Sequence, residues 1–185
     1  MAKLIVFNFI TVNGLYKGSY DDITWHRHGE EEGEYSMESL RKENILVFGR
    51  ITYQMMEAYW ANPLTLQSDP VVAKAMNDYE KIVFSRTLEK AEWNNTRLIS
   101  DNMLDNIKKL KKESTKDLAI LGSGSLVNQL TNECLVDEYQ LMIDPIALGE
   151  GTPLFKGITQ KLELRLTHSR VFKSGVLVLT YEMRG

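Results

Sequence analysis

Five short runs rich in β-branched and aromatic residues recur along the chain: Leu4–Ile10, Ile45–Phe48, Lys81–Phe84, Arg97–Ile99 and Leu118–Leu121. Runs of this length with little alternation predict strands buried on both faces. Between them the apolar positions fall into helical spacing. Met37 and Leu40, with Arg41-Lys42-Glu43 after them, fit a short helix, and Tyr53, Met56 and Trp60 mark one stripe of a second. Leu104, Ile107 and Leu110 form a third, with Asp101 as its expected N-cap. Leu126, Val127, Leu130 and Cys134 make another apolar face, on which Cys134 reads as a buried small hydrophobe. Strands alternating with helices predict parallel pairing through right-handed crossovers, because each crossover must carry the chain back across a sheet face.

The pattern changes over the last fifty residues. Leu162, Leu164 and Leu166 alternate with Glu163, Arg165 and Thr167, and Val176–Tyr181 follows the turn at Lys173-Ser174-Gly175. Two such runs predict an antiparallel hairpin. The expected α/β architecture is a mostly parallel sheet with helices on both faces and an antiparallel C-terminal edge. The stretch Asn62–Pro70 reads as a surface loop.

Composition narrows this picture. A chain of 185 residues with 43% hydrophobic content fits a single domain over 1–185. With 22 Lys+Arg against 25 Asp+Glu the formal charge is -3, which offers no global attraction to nucleic acid or to an anionic membrane. One cysteine suits a reducing compartment. The apolar run at Leu4–Ile10 is broken by Asn8 and is far shorter than the roughly 18 residues of a membrane span, so a soluble, cytoplasmic protein is expected. The run Lys108–Lys112 reads as an exposed helix face, and His26-x-His28 with Glu30-Glu31-Glu32 as a solvated loop rather than a metal site.

Candidate chemistry gathers at three strand ends. In Leu118–Val127 a strand runs into Gly122-Ser123-Gly124-Ser125 and then a helix. Glycines admit a phosphate to the backbone, and a helix start offers unpaired N–H groups and a positive dipole end. The pattern is neither a P-loop nor the usual dinucleotide fingerprint, and taken alone it is more often a tight turn than an anion site. At Gly49-Arg50-Ile51-Thr52-Tyr53 a second strand end opens a helix, with Arg50 in reach of a phosphate and Thr52 as the expected cap. Ser85-Arg86-Thr87 follows a third strand and supplies the hydroxyls and guanidinium that a phosphate monoester favours. Ligands of open parallel sheets bind outside the carboxyl ends of the strands, so the three together outline a site for an extended phosphorylated dinucleotide.

The order of these segments resembles the dihydrofolate reductase-like superfamily. With Leu135-Val136-Asp137-Glu138 and Pro145–Gly151, the chain is similar to the riboflavin-biosynthesis pyrimidine reductases, the C-terminal domains of bifunctional deaminase-reductases, as a stand-alone member. The resemblance implies a three-layer α/β/α fold, NADPH as hydride donor, a small heterocyclic or related substrate, and a homodimer. It places the pyrophosphate at Gly49, Arg50 and Thr52, the 2′-phosphate at Ser85, Arg86 and Thr87, and completes the cradle with Gly122–Ser125. The chain departs from those reductases at Leu121, where they commonly carry a Glu, and at Thr11-Val12-Asn13-Gly14, where they carry Ser-Leu-Asp-Gly. Both departures bear on the phosphoribosylaminopyrimidine substrate. Asn13 and Trp25 are the expected substrate-side residues and Glu38 the first-ranked proton donor. Dihydrofolate reduction and a nucleotide-binding module without turnover are the alternative readings.

Overall fold

The computed structural model describes residues 1–40 and 42–184. Arg41, expected in the first helix, lies outside the described residues. The elements run β1 (Leu4–Thr11), β2 (Leu15–Lys17), α1 (Glu30–Leu40), β3 (Ile45–Gly49), α2 (Arg50–Trp60), α3 (Pro63–Ser68) and α4 (Pro70–Asp78). They continue with β4 (Lys81–Phe84), β5 (Thr96–Ile99), α5 (Met103–Glu113), β6 (Leu118–Leu121), α6 (Gly124–Asn132), β7 (Glu138–Asp144), β8 (Thr152–Pro153), β9 (Leu164–Val171) and β10 (Leu177–Met183).

The main sheet has the order β5-β4-β3-β6-β1-β7-β10-β9, and β2 pairs with β8 in a small second sheet. Every pairing from β5 to β7 is parallel; β7–β10 and β10–β9 are antiparallel. The chain leaves β1, builds outward through β3, β4 and β5, and then returns to insert β6 between β3 and β1. That reversal puts the carboxyl ends of β3 and β6 side by side, at the kind of switch point where open sheets bind ligands.

Alternation along the strands divides the core. Leu4, Val6, Ile120 and Val47 face Ile107 of α5 and Leu126 and Leu130 of α6. On the other face Leu46, Phe48, Val83 and Ala119 pack against Tyr53 of α2 and Met76 of α4. Further along that face, Phe7 and Phe9 pack with Tyr35 of α1 and with Phe172 and Val178. The result is a three-layer α/β/α molecule, and each layer excludes water from one side of strands too apolar to be left exposed. Among the described residues, no helix is long and apolar enough to cross a membrane.

Several local expectations are corrected. Asn62–Pro70 is not a loop, because Asn62 and Asp69 each cap a helix, accepting from the Leu64 N–H at 2.9 Å and the Val72 N–H at 3.4 Å, with Pro63 and Pro70 at the first turns. Proline is favoured there, since its missing N–H has no partner to lose. α5 is capped from Asn102, in a left-handed conformation and without a side-chain bond, not from Asp101. Cys134 is exposed. It sits past the end of α6 with φ 52, while its N–H donates to the Thr131 carbonyl and the Leu135 N–H to that of Leu130. Those two bonds make a Schellman closure, whose left-handed residue points away from the helix face.

Candidate active site

Because β3 and β6 are neighbours, the helices that leave them begin side by side. Ser123 joins the two starts: its hydroxyl accepts the Gly49 N–H at 2.8 Å and donates to Thr52 Oγ1 at 3.0 Å, while its own N–H reaches Thr52 Oγ1 at 3.2 Å. Thr52 therefore does not cap its own helix; Gly49 holds that position with no side-chain bond. The approach is close. A Cβ on Gly122, which has φ +65, would lie 3.1 Å from Thr52 Cγ2, and one on Gly124 would lie 2.8 Å from the Tyr16 ring. The left-handed backbone at Gly122 and the closeness of the Tyr16 ring at Gly124 both favour glycine.

Both helix starts leave their dipoles uncompensated. The first turns of α2 and α6 contain no acidic residue, whereas α1 opens with Glu30, Glu31 and Glu32. First-turn amides have no partner within the helix, so two sets of N–H groups and two positive dipole ends converge on one spot. At the end of β4, the Ser85 hydroxyl accepts the Thr87 and Leu88 N–H groups at 3.2 and 2.9 Å, which fixes the turn. Arg86, beside it, is exposed and has no partner among the described residues. Arg50 donates to Gln54 Oε1 at 3.1 Å.

A cleft of about 1520 Å³ runs past all of these groups. Gly49, Arg50, Thr52, Ser85, Arg86 and the Gly122–Ser125 turn line it, and so does Trp25. Three expected site residues do not. Thr87 contributes its N–H to the Ser85 turn and points elsewhere. Asn13 donates from Nδ2 to the Leu148 carbonyl at 2.9 Å and accepts the Leu148 N–H at 3.3 Å and the Thr11 hydroxyl at 2.7 Å, which makes it a clamp between two loops. Glu38 faces outward and accepts from Arg170 Nη1 at 3.0 Å.

The family model for the RibD C-terminal domain matches residues 2–178. The chain belongs to this family. The uncharacterized protein YyaP of Bacillus subtilis is 30% identical over 183 residues, covering 99% of this chain and 96% of its own. A Shewanella sp. PV-4 protein assigned to riboflavin biosynthesis superposes over 100% of both chains with a TM-score of 0.74 at 21% identity. Dihydrofolate reductase from Enterococcus faecalis, solved with NADP(H), superposes over 99% of this chain and 97% of its own with a TM-score of 0.66 at 16% identity. The fold is thus dihydrofolate reductase-like, and membership of the RibD family supports an oxidoreductase.

Within this RibD-type domain the other end of the cleft carries groups for which the sequence predicts no part in the site. His26 is not in a solvated loop. Its ring is buried and stacks on Phe9 with centroids 3.6 Å apart, and its Nδ1 lies 2.7 Å from Asp144 Oδ2. The other Asp144 oxygen accepts the Arg27 N–H at 2.8 Å. The fully buried aspartate thus fixes the ring and the loop together, leaving Nε2 free on the cleft wall. His28 lines the cleft beside it, with ring centroids 4.8 Å apart. Burial pushes the His28 imidazole below its ordinary range, and the neighbouring His26 imidazole acts in the same direction. Glu32 is buried on the same wall and accepts from the Ser174 hydroxyl. Asn8 also lines the cleft, and its Oδ1 is buried without a hydrogen-bond partner.

Proposed function

We propose that the protein is an NADPH-dependent reductase of the riboflavin-biosynthesis type, adding hydride to a carbonyl or C=N carbon of a small acceptor. The observation that carries this reading is the pair of joined helix starts at β3 and β6. Their positive ends face one cleft with no acidic residue in either first turn, and Arg86, without a partner among the described residues, stands on the same wall. A dinucleotide pyrophosphate with a further phosphate matches that distribution of charge. The residues present fit the cofactor in a second respect: Asn8 Oδ1, a buried acceptor with no donor, suits a ligand that carries an amide N–H.

The amides opening α2 and α6, with Arg50 and the Gly122–Ser125 turn, hold the pyrophosphate in this reading. Arg86 and Ser85 hold the 2′-phosphate. When bound, NADPH supplies the hydride. The chain supplies orientation and the proton. Asp144 sets the tautomer of His26, whose free Nε2 opens on the cleft and can carry a proton to the acceptor heteroatom. His26 replaces Glu38 in that role, since Glu38 is turned away and paired with Arg170.

Fluorescence titration with NADPH and with NADH tests the reading. A charge-assisted phosphate contact is worth about 1.5–3 kcal/mol, or roughly 10- to 150-fold in affinity. Arg86→Ala is therefore expected to weaken NADPH by that factor and to leave NADH nearly unchanged. Equal losses for the two would remove the 2′-phosphate assignment, and binding of neither by the unaltered protein would remove the reductase.

A further inference from the structure

We infer that the acceptor of this reductase is a largely apolar, flat carbonyl compound bearing no phosphate or carboxylate, held in a groove between α1 on one side and α2 and α4 on the other. The inference rests on the reductase reading for the word acceptor; the groove and its chemistry stand without it. The groove is the half of the cleft that lies over the α1/α2 face of the sheet. Phe7 and Leu121, which are register partners, and Ala119 form its floor. Met55 and Tyr59 of α2 and Val72 of α4 form one wall.

Charge separates this half from the other. The Lys and Arg side chains on the cleft wall are Lys17, Arg50, Arg86 and Lys108 among the described residues. Arg50 and Arg86 stand at the ends of β3 and β4, Lys108 is on α5 across the sheet, and Lys17 is ion-paired with Asp21. None projects from the groove's floor or from the α1 and α4 walls. The carboxylates there are Glu32 on α1 and Asp69 at the start of α4, and the His26 and His28 rings close the loop end. A phosphate or carboxylate entering the groove would lose its water against apolar side chains and meet carboxylates of like sign, which costs several kcal/mol without a cation to offset it.

Two further features show space kept for an apolar guest. Met55 and Tyr59 lie on one stripe of α2 and are 39% and 57% exposed. Exposed apolar stripes of this kind mark binding surfaces, and Met adapts to flat ligands of varied outline. Gly33 lies inside α1, where glycine costs about 0.5–1 kcal/mol relative to alanine. A Cβ there would meet nothing within 4 Å, so no contact in the chain demands glycine; the empty volume opens on the groove. Reduction of such an acceptor adds hydride to the carbonyl carbon and a proton to its oxygen, with NADPH oxidised to NADP+.

Calorimetric titration of the full chain, with and without saturating NADP+, tests this with three probes: 1-tetralone, which is uncharged; dihydrofolate, which carries carboxylates; and 5-amino-6-(5-phosphoribosylamino)uracil, which carries a phosphate. Expected is at least tenfold tighter binding of 1-tetralone than of either charged compound. Gly33→Leu fills the groove and is expected to weaken 1-tetralone at least tenfold; Met55→Lys is expected to weaken it and to tighten the phosphate compound. Both positions are exposed, and far-UV circular dichroism confirms the fold of each variant. A charged probe binding as tightly as 1-tetralone, or 1-tetralone affinity unmoved in both variants, overturns the inference. Because the order of affinities is also read without cofactor, failure to bind NADPH would remove the reductase and leave this order to be judged by itself.

Discussion

Replacing Ser123 by alanine and by glycine separates the two things this residue does. It bonds two helix starts together, and it does so from a left-handed conformation, φ 56, that a side chain normally avoids. Alanine removes the hydroxyl and keeps the strain. The Gly49 N–H then loses its 2.8 Å acceptor and the Thr52 hydroxyl its 3.0 Å donor. An orphaned, part-buried donor costs about 1–3 kcal/mol and a lost ordinary hydrogen bond about 1 kcal/mol, so Ser123→Ala is expected to lose roughly 2–4 kcal/mol. Glycine loses the same bonds but relieves the left-handed penalty of roughly 1–2 kcal/mol, part of which its greater unfolded-state freedom takes back. The expected order of urea midpoints is therefore wild type, then Ser123→Gly, then Ser123→Ala. A cycle with Thr52→Val is expected to show a coupling of about 0.5–3 kcal/mol, as directly bonded residues do. NADPH affinity should fall in the same order if the spacing of the helix starts sets the anion site. A Ser123→Ala midpoint equal to wild type, or strict additivity with Thr52→Val, would refute the bridge.

Gly122→Ala places a Cβ 3.1 Å from Thr52 Cγ2 at φ +65, so a loss of roughly 1–3 kcal/mol in thermal or urea unfolding is expected, with weaker NADPH binding. Asp144→Asn removes the buried carboxylate that lies against His26 Nδ1 and accepts the Arg27 N–H, so a loss of about 1–3 kcal/mol is expected, read by urea unfolding. Lys81 is buried, donates to the Met76, Asn77 and Tyr79 carbonyls and lies 4.6 Å from the Trp93 ring, while desolvation pushes its ammonium down from 10.5 to about 8. Between those two values the unfolded chain holds more protons than the folded one, so this group makes stability rise with pH from about 8 toward 10.5; Lys81→Met should abolish that rise in urea midpoints. Glu38→Gln removes a half-exposed pair with Arg170 and is expected to change stability by less than about 1 kcal/mol.

Strands that are buried on both faces were legible because nothing polar interrupts them: β4 and β6 coincide with the predicted runs, and β3 extends its run only by Gly49. β7 escaped the same test because its two faces differ. Tyr139 and Leu141 enter the core while Gln140 and Asp144 turn to the α1 side, so the run looks mixed along the sequence. α3 and α4 carry an ambiguous signal, since Asn-Pro and Asp-Pro mark turns as readily as they mark a capped helix start. The cleft-lining residues of the β3, β4 and β6 ends were legible because each sits at its own strand end. The bond from Thr52 to Ser123 was not, because local reading assigns a Thr near a helix start to its own helix. The pairing of His26 with Asp144 spans 118 positions, and only the parallel alignment of β1 with β7 brings Phe9 and Asp144 to the same face.

The distribution of charge around the cleft carries a further consequence. An acid in the first turn of a helix is worth about 0.3–1 kcal/mol, and α1 takes that stabilisation three times over. α2 and α6 forgo it, and α2 begins with Arg50, a charge of the same sign as the dipole end it occupies. α3 and α4 also lack a first-turn acid, but Asn62 and Asp69 cap them, whereas no side chain caps α2 or α6. An anion shared by those two starts would neutralise both dipoles and the guanidinium at once. The same logic applied to the groove gives the opposite result: there the chain places carboxylates and methionines and withholds cations. In the proposed reading the two halves of one cleft take ligands of different character, a polyanion at the strand ends and a flat guest without phosphate or carboxylate between α1 and α2. A single larger polyanion spanning both halves would satisfy the first and be repelled by the second. That division is what the NADPH titration and the three-probe calorimetry examine from its two sides.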